Sequence, residues 1–159
     1  MGRGGRTLAV CAVFFALAAP ALASMRVVPT EPLFGTRDLS FVWPAQGVVT
    51  TPFYLHGHDG IDIGILRTPA VRAAAPGVVE LVGQPVGYEG YGNVVTIRVT
   101  PTVVTIYAHL ASSSVKPGDR VVAGQPIGIA GCTGYCSGTH LHFEVRESGM
   151  PVNPLQFLG

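Results

Sequence analysis

The strongest constraint on the fold is a series of short runs rich in β-branched residues, each interrupted by glycine or proline. Valine and threonine at this density favour pleated strands, and no window shows the 3.6-residue apolar period of an amphipathic helix. Turn sequences such as Ala75-Pro76-Gly77 separate the runs. We therefore predict an all-β protein, with one compact antiparallel β-sheet domain over residues 41–159. The runs lie at 47–50, 77–82, 93–99, 102–108, 120–123 and 141–145.

Composition narrows the function classes. Apolar residues make up 48% of the chain and charged residues 12%, which is enough apolar material for a core and excludes intrinsic disorder. The 21 glycines and 13 prolines are too many for a helical bundle. Ten basic residues against nine acidic ones give a net charge of +1, without a basic cluster. We therefore expect no nucleic-acid partner.

The N-terminus has the pattern of an export signal. Arg3 and Arg6 precede an apolar run from Leu8 to Ala19, and Ala21-Leu22-Ala23 places small residues at −3 and −1. This predicts a signal peptide over 1–23, cleaved before Ser24. An uncleaved anchor is the alternative, but the run is shorter than the roughly 20 residues that a spanning helix needs. A lipid-modified Cys11 is disfavoured by the bulky Val10 before it and by the apolar run that follows.

We therefore expect an exported protein, in the periplasm or in the extracellular space and cell wall, with no stable membrane insertion after cleavage. Residues 24–40 are polar and contain two prolines, so we interpret them as a linker or strap. Cys132 and Cys136 are the cysteines that remain after cleavage, and an oxidising compartment favours a disulfide between them. Two metal thiolates are the alternative, although no second cysteine pair is present to complete a structural zinc site.

The five histidines all follow the predicted signal, and four of them fall into a pattern that indicates chemistry. His140 and His142 are two apart in a predicted strand, so their rings share one face. His58 and Asp62 are four apart where a loop enters a strand, and His109 ends a third run. Two imidazoles, a carboxylate and an open position suit catalytic zinc, which lowers the pKa of a bound water. The same donors can hold ferrous iron, but an oxidising compartment favours zinc.

From Trp43 onward the sequence resembles the lysostaphin/LytM-type zinc endopeptidases, which cut peptidoglycan peptides and have a barrel-sandwich-hybrid fold. The resemblance covers nearly the whole predicted domain, in order and at consistent spacing. The matching segments are Gly57-His-Asp-Gly-Ile-Asp-Ile-Gly64, Thr68-Pro-Ala-Val-x-Ala73, Tyr91-Gly-Asn93, Tyr107-Ala-His-Leu110, Gly118-Asp-x-Val-x-x-Gly-Gln-x-Ile-Gly128, Gly138-Thr-His-Leu-His-Phe-Glu144 and Val152-Asn-Pro154.

The resemblance implies that His58, Asp62 and His142 bind one Zn²⁺ per chain. His109 and His140 would carry no metal and would act as general base and oxyanion stabiliser, with the two roles not divided between them. The implied partners are peptidoglycan peptides, cut in the cross-links or the stem peptides, and we expect a monomer. His56 matches no family position, and we expect it in a loop near the mouth of the cleft.

Two features depart from the family pattern or remain open. The family commonly has small residues where Cys132 and Cys136 stand, and we expect a disulfide there to brace the loop that precedes His140. The candidates to line the groove are Tyr54, Tyr88, Tyr91 and Tyr135.

The alternative functions are a non-catalytic wall-binding module that activates another hydrolase, and a metal-dependent enzyme acting on small molecules. Because all five expected site residues are present, the peptidase is favoured.

Overall fold

Eleven β-strands make up nearly all the regular structure in the computed structural model, which describes Met1, residues 39–54 and residues 56–159. Apart from Met1, the predicted signal peptide lies outside the described residues, as does almost all of the 24–40 linker. The strands are β1 Gly47–Thr51, β2 Ile61–Ile65, β3 Ala70–Arg72, β4 Gly77–Gly83, β5 Val94–Arg98, β6 Val103–Ala108, β7 Leu110–Ser113, β8 Arg120–Val121, β9 Pro126–Ala130, β10 His140–Glu147 and β11 Met150–Val152.

The strands form two antiparallel sheets. The larger sheet has the order β1-β2-β10-β6-β5-β4-β8, with β11 paired to β10, and the smaller one has the order β3-β9-β7. A 3-10 turn at Pro154–Gln156 follows β11. The predicted compact antiparallel β-sheet domain is confirmed. Among the residues that the structure describes, we find no helix that is long and apolar enough to cross a membrane.

Strand β10 lies between β2 and β6 in the larger sheet and sets the register around the candidate site. It pairs with β2 so that His142 lies opposite Asp62, and with β6 so that His142 lies opposite Ala108. Since His109 directly follows Ala108, three chemically active side chains meet at one end of the sheet. Their proximity is therefore a consequence of strand pairing between distant parts of the chain.

The alternation of side chains in β2 and β10 separates the core from the site. Ile61, Ile63, Leu141 and Phe143 are completely buried on the core face. Burial of such a side chain stabilises the fold by about 1.5–3 kcal/mol. The alternate residues point to the opposite face. The apolar positions thus hold the two strands in register, and the polar positions between them are free to form a site.

The predicted runs correspond to β1, β4, β5, β6, β8 and β10. Strand β8 covers only the first half of the run at 120–123, because a turn begins at Val122, whose carbonyl accepts a hydrogen bond from the backbone N–H of Gln125 (3.1 Å). The smaller sheet was not predicted. Its central strand β9 contains Pro126 and Gly128, which disfavour strands in isolation, and its strand pairing comes from tertiary contact.

Candidate active site

His58, Asp62 and His142 meet at a single point. Nε2 of His58 lies 3.2 Å from Oδ1 of Asp62, and Nδ1 of His142 lies 2.9 Å from the same oxygen. The three donor atoms all lie within 4.8 Å of one another. Asp62 is placed by β2 and His142 by β10, whereas His58 sits in the loop before β2, where it forms an isolated bridge with Tyr54.

Hydrogen bonds at the far side of each ring decide which nitrogen faces Asp62 with a lone pair. Nδ1 of His58 lies 2.9 Å from the carbonyl oxygen of Pro52, which only accepts, so this nitrogen carries the hydrogen. Nε2 of His142 donates in the same way to Oε1 of Glu144 at 3.1 Å. In their neutral forms, both rings therefore direct a lone pair at the Asp62 carboxylate.

This arrangement fits a metal ion. Lone pairs that face a carboxylate oxygen repel it unless a proton or a cation lies between them. Two ligands of a tetrahedral zinc ion, each about 2.0–2.1 Å from it, lie about 3.3 Å apart, which is close to the separations observed here. The triad has two nitrogen donors and one oxygen donor, a set that zinc accepts, and it opens toward solvent on one side. His58, Asp62 and His142 are therefore the residues that could hold a metal.

In the metal-free protein, protons take the place of that cation. Burial opposes ionisation of Asp62, but the hydrogen bond from His142 and the nearby imidazoles outweigh it and lower the pKa of Asp62 below its ordinary value. Burial also opposes protonation of His142, yet hydrogen bonds to Asp62 and Glu144 raise the pKa of its ring to about 9. The pocket thus favours a positive charge at the point where the three residues converge.

Glu144 forms a layer behind His142 that the sequence analysis did not identify. Its side chain is completely buried and accepts hydrogen bonds from His142, from Nε of Arg146 (2.7 Å) and from the hydroxyl of Tyr91. Burial would raise the pKa of Glu144, but these three donors lower it, so the carboxylate is ionised. The two-residue spacing of His140, His142 and Glu144 could have indicated this role, because alternate residues of one strand share a face.

His109 and His140 lie beside the triad, with ring centroids 4.7 Å apart. Nδ1 of His109 lies 2.7 Å from the carbonyl oxygen of Thr133, and Nδ1 of His140 lies 2.7 Å from that of Gly138. Carbonyl oxygens only accept, so both rings are protonated at Nδ1, and their Nε2 atoms are unprotonated when the rings are neutral. Nε2 of His140 lies 3.7 Å from Oδ1 of Asp62, at the edge of the triad.

The environment of His109 keeps its ring neutral. The residue is 7% exposed, and burial lowers the pKa of its imidazole below the ordinary value. The hydrogen bond to Thr133 acts in the opposite direction, but the neighbouring His140 and His142 add to the effect of burial. A neutral imidazole with an unprotonated nitrogen can accept a proton.

One groove of about 600 Å³ is lined by His58, Asp62, His109, His140 and His142. Tyr91 and Tyr135 are part of its wall, and the exposed His56 lies on its lining, near the position expected from the sequence. Tyr54 and Tyr88 do not line the groove. They pack against the rings of His58 (centroid distance 5.7 Å) and Tyr91 (5.6 Å), respectively.

Cys132 and Cys136 are joined by a disulfide in the loop between β9 and β10. Sγ of Cys136 lies 3.7 Å from Nδ1 of His140. The disulfide therefore borders the groove directly and is in contact with one of the paired histidines.

Comparison with known sequences identifies the family. A sequence profile described as Peptidase family M23 matches residues 56–154, which include Asp62 and the four histidines of the site. The chain belongs to peptidase family M23. The resemblance to lysostaphin/LytM-type peptidases is thereby confirmed.

Among relatives of this M23 chain, DD-carboxypeptidase/endopeptidase Mpg of Neisseria meningitidis serogroup B is 45% identical over 98 residues, which are 62% of this chain and 22% of Mpg. Murein hydrolase activator NlpD of Escherichia coli is 39% identical over 118 residues, which are 73% of this chain and 30% of NlpD. The chain thus spans between a fifth and a third of the length of these two curated relatives.

Solved structures give the same result for the fold. The catalytic domain of the antimicrobial peptidase lysostaphin from Staphylococcus simulans is 31% identical, with a TM-score of 0.57 over 70% of this chain and 89% of that domain. A zinc-containing peptidase from Vibrio cholerae is also 31% identical, with a TM-score of 0.64 over 72% of this chain and 39% of that one.

Proposed function

We propose that this M23 protein is an exported zinc metalloendopeptidase that hydrolyses peptide bonds in the cross-links or stem peptides of peptidoglycan. One observation carries the proposal. The lone pairs of His58 and His142 converge on Asp62, and two further imidazoles present unprotonated Nε2 atoms within the same groove. A site for a cation and a site for a proton acceptor thus lie side by side, as metal-assisted hydrolysis of an amide requires.

The metal would be held by Nε2 of His58, Oδ1 of Asp62 and Nδ1 of His142. When bound, zinc supplies a Lewis acid for the peptide carbonyl and for water. The chain's own contribution to this chemistry is orientation, because Pro52 and Glu144 occupy the opposite nitrogens of the two imidazoles. Each ring then has only the nitrogen facing Asp62 left to bind metal.

His109 and His140 would move the proton. Hydrolysis requires that a water oxygen adds to the carbonyl carbon, that the C–N bond breaks and that a proton reaches the leaving amine nitrogen. A neutral ring with a free Nε2 accepts the proton from the water and later delivers it to the amine. Once protonated, the ring carries an N–H toward the groove that can donate to the oxygen that becomes negative.

The relatives support peptidoglycan as the substrate class. Mpg is named as a DD-carboxypeptidase/endopeptidase, and NlpD as a murein hydrolase activator. The first name refers to hydrolysis of peptide bonds, and the second to hydrolysis of murein. The groove is open to solvent and is lined by Tyr91, Tyr135 and Glu89 among others, so it can receive a peptide.

The test is mass spectrometry of the fragments that the purified chain, loaded with zinc, releases from purified peptidoglycan. We expect new stem or bridge peptides whose ends identify the bond that is cut. His140→Ala is the matched control and should release at least about 100-fold less. Absence of release from several wall types by the unaltered chain would overturn the proposal.

A non-catalytic activator of another wall hydrolase is the second candidate, favoured by the 39% identity to NlpD over 73% of this chain. Such a protein has no need of a metal. Zinc content after purification and dialysis separates the two candidates, because the peptidase proposal expects about one zinc per chain. If the protein lacks zinc and binds peptidoglycan without releasing peptides, the activator is the better explanation.

Export is part of the proposal. Murein hydrolase activator NlpD, together with a lipoprotein NlpD/LppB homolog of Pseudomonas aeruginosa that is 39% identical, supports a location in the cell envelope. N-terminal sequencing of the protein recovered from the envelope or the medium should begin at Ser24. A protein that retains Met1 to Ala23 would contradict cleavage.

A further inference from the structure

The disulfide-closed loop and the two residues after it supply the hydrogen-bond acceptors of both imidazoles outside the metal triad. Thr133 lies inside the loop and accepts from Nδ1 of His109 at 2.7 Å. Gly138 lies two residues beyond Cys136 and accepts from Nδ1 of His140, also at 2.7 Å. The tautomers of two histidines, one between β6 and β7 and one at the start of β10, are therefore determined by one segment of seven residues, 132–138.

His109 needs such support because its backbone is strained. Its φ of +60° lies in the left-handed region, which residues other than glycine rarely adopt and which persists only when the surroundings enforce it. Its N–H donates to the carbonyl of Tyr91 at 2.9 Å. The hydroxyl of Thr133 donates to the carbonyl of Leu110 and accepts from the N–H of Asn93, both at 2.9 Å. Thr133 thus holds both the ring of His109 and the backbone next to it.

The loop is seated by direct contact between backbones. The N–H of Tyr135 donates to the carbonyl of Gly90 at 2.7 Å. A Cβ atom at Gly134 would lie 2.3 Å from that carbonyl oxygen, and one at Gly92 would lie 2.4 Å from the carbonyl carbon of Thr133. Both glycines have positive φ. The loop therefore fits its neighbour only where side chains are absent, and a small shift would move the carbonyl of Thr133.

We propose that the disulfide-closed loop Cys132–Cys136 is a positioning element for His109 and His140, and that Thr133 is its principal positioning residue. The inference rests on the proposed function for these two histidines. The segment 132–138 contains two glycines and is mostly exposed, so without a cross-link it has many conformations. The disulfide removes most of them and keeps both carbonyls where the rings need them.

The experiment compares the unaltered chain with C132S/C136S, Thr133→Val and Thr133→Ser. For each we would measure kcat and KM on a peptidoglycan peptide, zinc content, thermal unfolding, and the ¹⁵N resonances that report the tautomer of each histidine. We expect C132S/C136S to lower kcat by about 10-fold or more, since small misplacement of catalytic groups is costly, with KM and zinc content nearly unchanged. The His109 and His140 resonances should change from one tautomer to a mixture.

Thr133→Val tests the same idea without altering the disulfide. Valine removes the hydroxyl that bonds Leu110 and Asn93, so kcat and the His109 tautomer should change. Serine retains the hydroxyl, so this variant should have the kcat and the His109 tautomer of the unaltered chain. If C132S/C136S does not fold, the comparison of Thr133→Val with Thr133→Ser tests the inference by itself. Full kcat and unmixed tautomers in C132S/C136S and Thr133→Val would overturn the inference. The tautomers also report when the unaltered chain releases no peptide, so failure of the proposed function is distinguished from failure of the positioning role.

Discussion

The two sides of the groove each contain a buried histidine, but the hydrogen-bond acceptor that orients the ring differs between them. On the metal side, Nε2 of His142 donates to the completely buried carboxylate of Glu144. On the other side, Nδ1 of His109 donates to the neutral backbone carbonyl of Thr133. Both bonds fix a tautomer, but only the first brings a negative charge next to the ring.

The difference assigns opposite electrostatic properties to two buried imidazoles. Burial disfavours the charged form of both rings. For His142 the carboxylates of Asp62 and Glu144 outweigh burial and raise its pKa to about 9. For His109 no carboxylate is in hydrogen-bond contact, and its pKa stays below the ordinary value. One ring is therefore suited to a site that attracts a cation, and the other to accepting a proton while neutral.

The strongest way to break this comparison is to remove the ring on the metal side. We expect His142→Ala to lose zinc and peptidase activity together, by more than the roughly 10- to 100-fold that loss of a residue behind a ligand causes. Equilibrium dialysis against zinc and a peptide-release assay on the same preparation would measure this. Retention of zinc at full affinity would remove His142 from the triad.

Removing His109 or His140, on the other side of the groove, should separate loss of activity from loss of zinc. His140→Ala and His109→Ala should each lower kcat by about 10²- to 10⁴-fold, the usual contribution of a general acid or base, while zinc content stays at the level of the unaltered chain. The measurement is again activity and metal content in parallel. If either variant lost its zinc, the division between metal ligands and proton carriers would be wrong for that residue.

The raised pKa of His142 has a consequence for stability without metal. Its folded-state pKa of about 9 lies above the ordinary value of 6.5, so the folded chain binds this proton more tightly than the unfolded chain. The resulting stabilisation is complete below pH 6.5 and is lost as pH rises toward 9, with a total of about 3 kcal/mol.

Urea unfolding in the presence of a chelator, at pH 6 and at pH 9.5, would measure this change. His142→Gln is the control and should show a smaller dependence on pH. Equal slopes for the variant and the unaltered chain would mean that His142 does not hold the proton.

The smallest effect is expected behind the metal side. Glu144→Gln preserves size but removes the charge that His142 and Arg146 share, and we expect zinc affinity to fall by about 10- to 100-fold. Glu147→Gln, in the same strand but away from the site, is the matched control and should leave zinc affinity unchanged. Identical affinities for both variants would show that the charge of Glu144 is not needed to prepare the ligand.

Much of this site could be predicted from local sequence because its spacing follows strand geometry. The alternation His140-Leu141-His142 places both rings on one face and an apolar side chain on the other, whatever the rest of the fold does. The valine-rich runs predicted the larger sheet for the same reason. The smaller sheet was missed because β9 contains proline and glycine and becomes a strand only between two partners.

The sequence by itself determined the all-β class, the candidate ligands and the facing of the histidine pair, since these depend on residue type and on the two-residue period of a strand. Only the tertiary structure decided which ring nitrogen of each histidine is free. That choice depends on the carbonyls of Pro52, Thr133 and Gly138 and on the carboxylate of Glu144. Three of these partners are backbone carbonyls, which every residue type carries, so no pattern of side chains in the sequence predicts them.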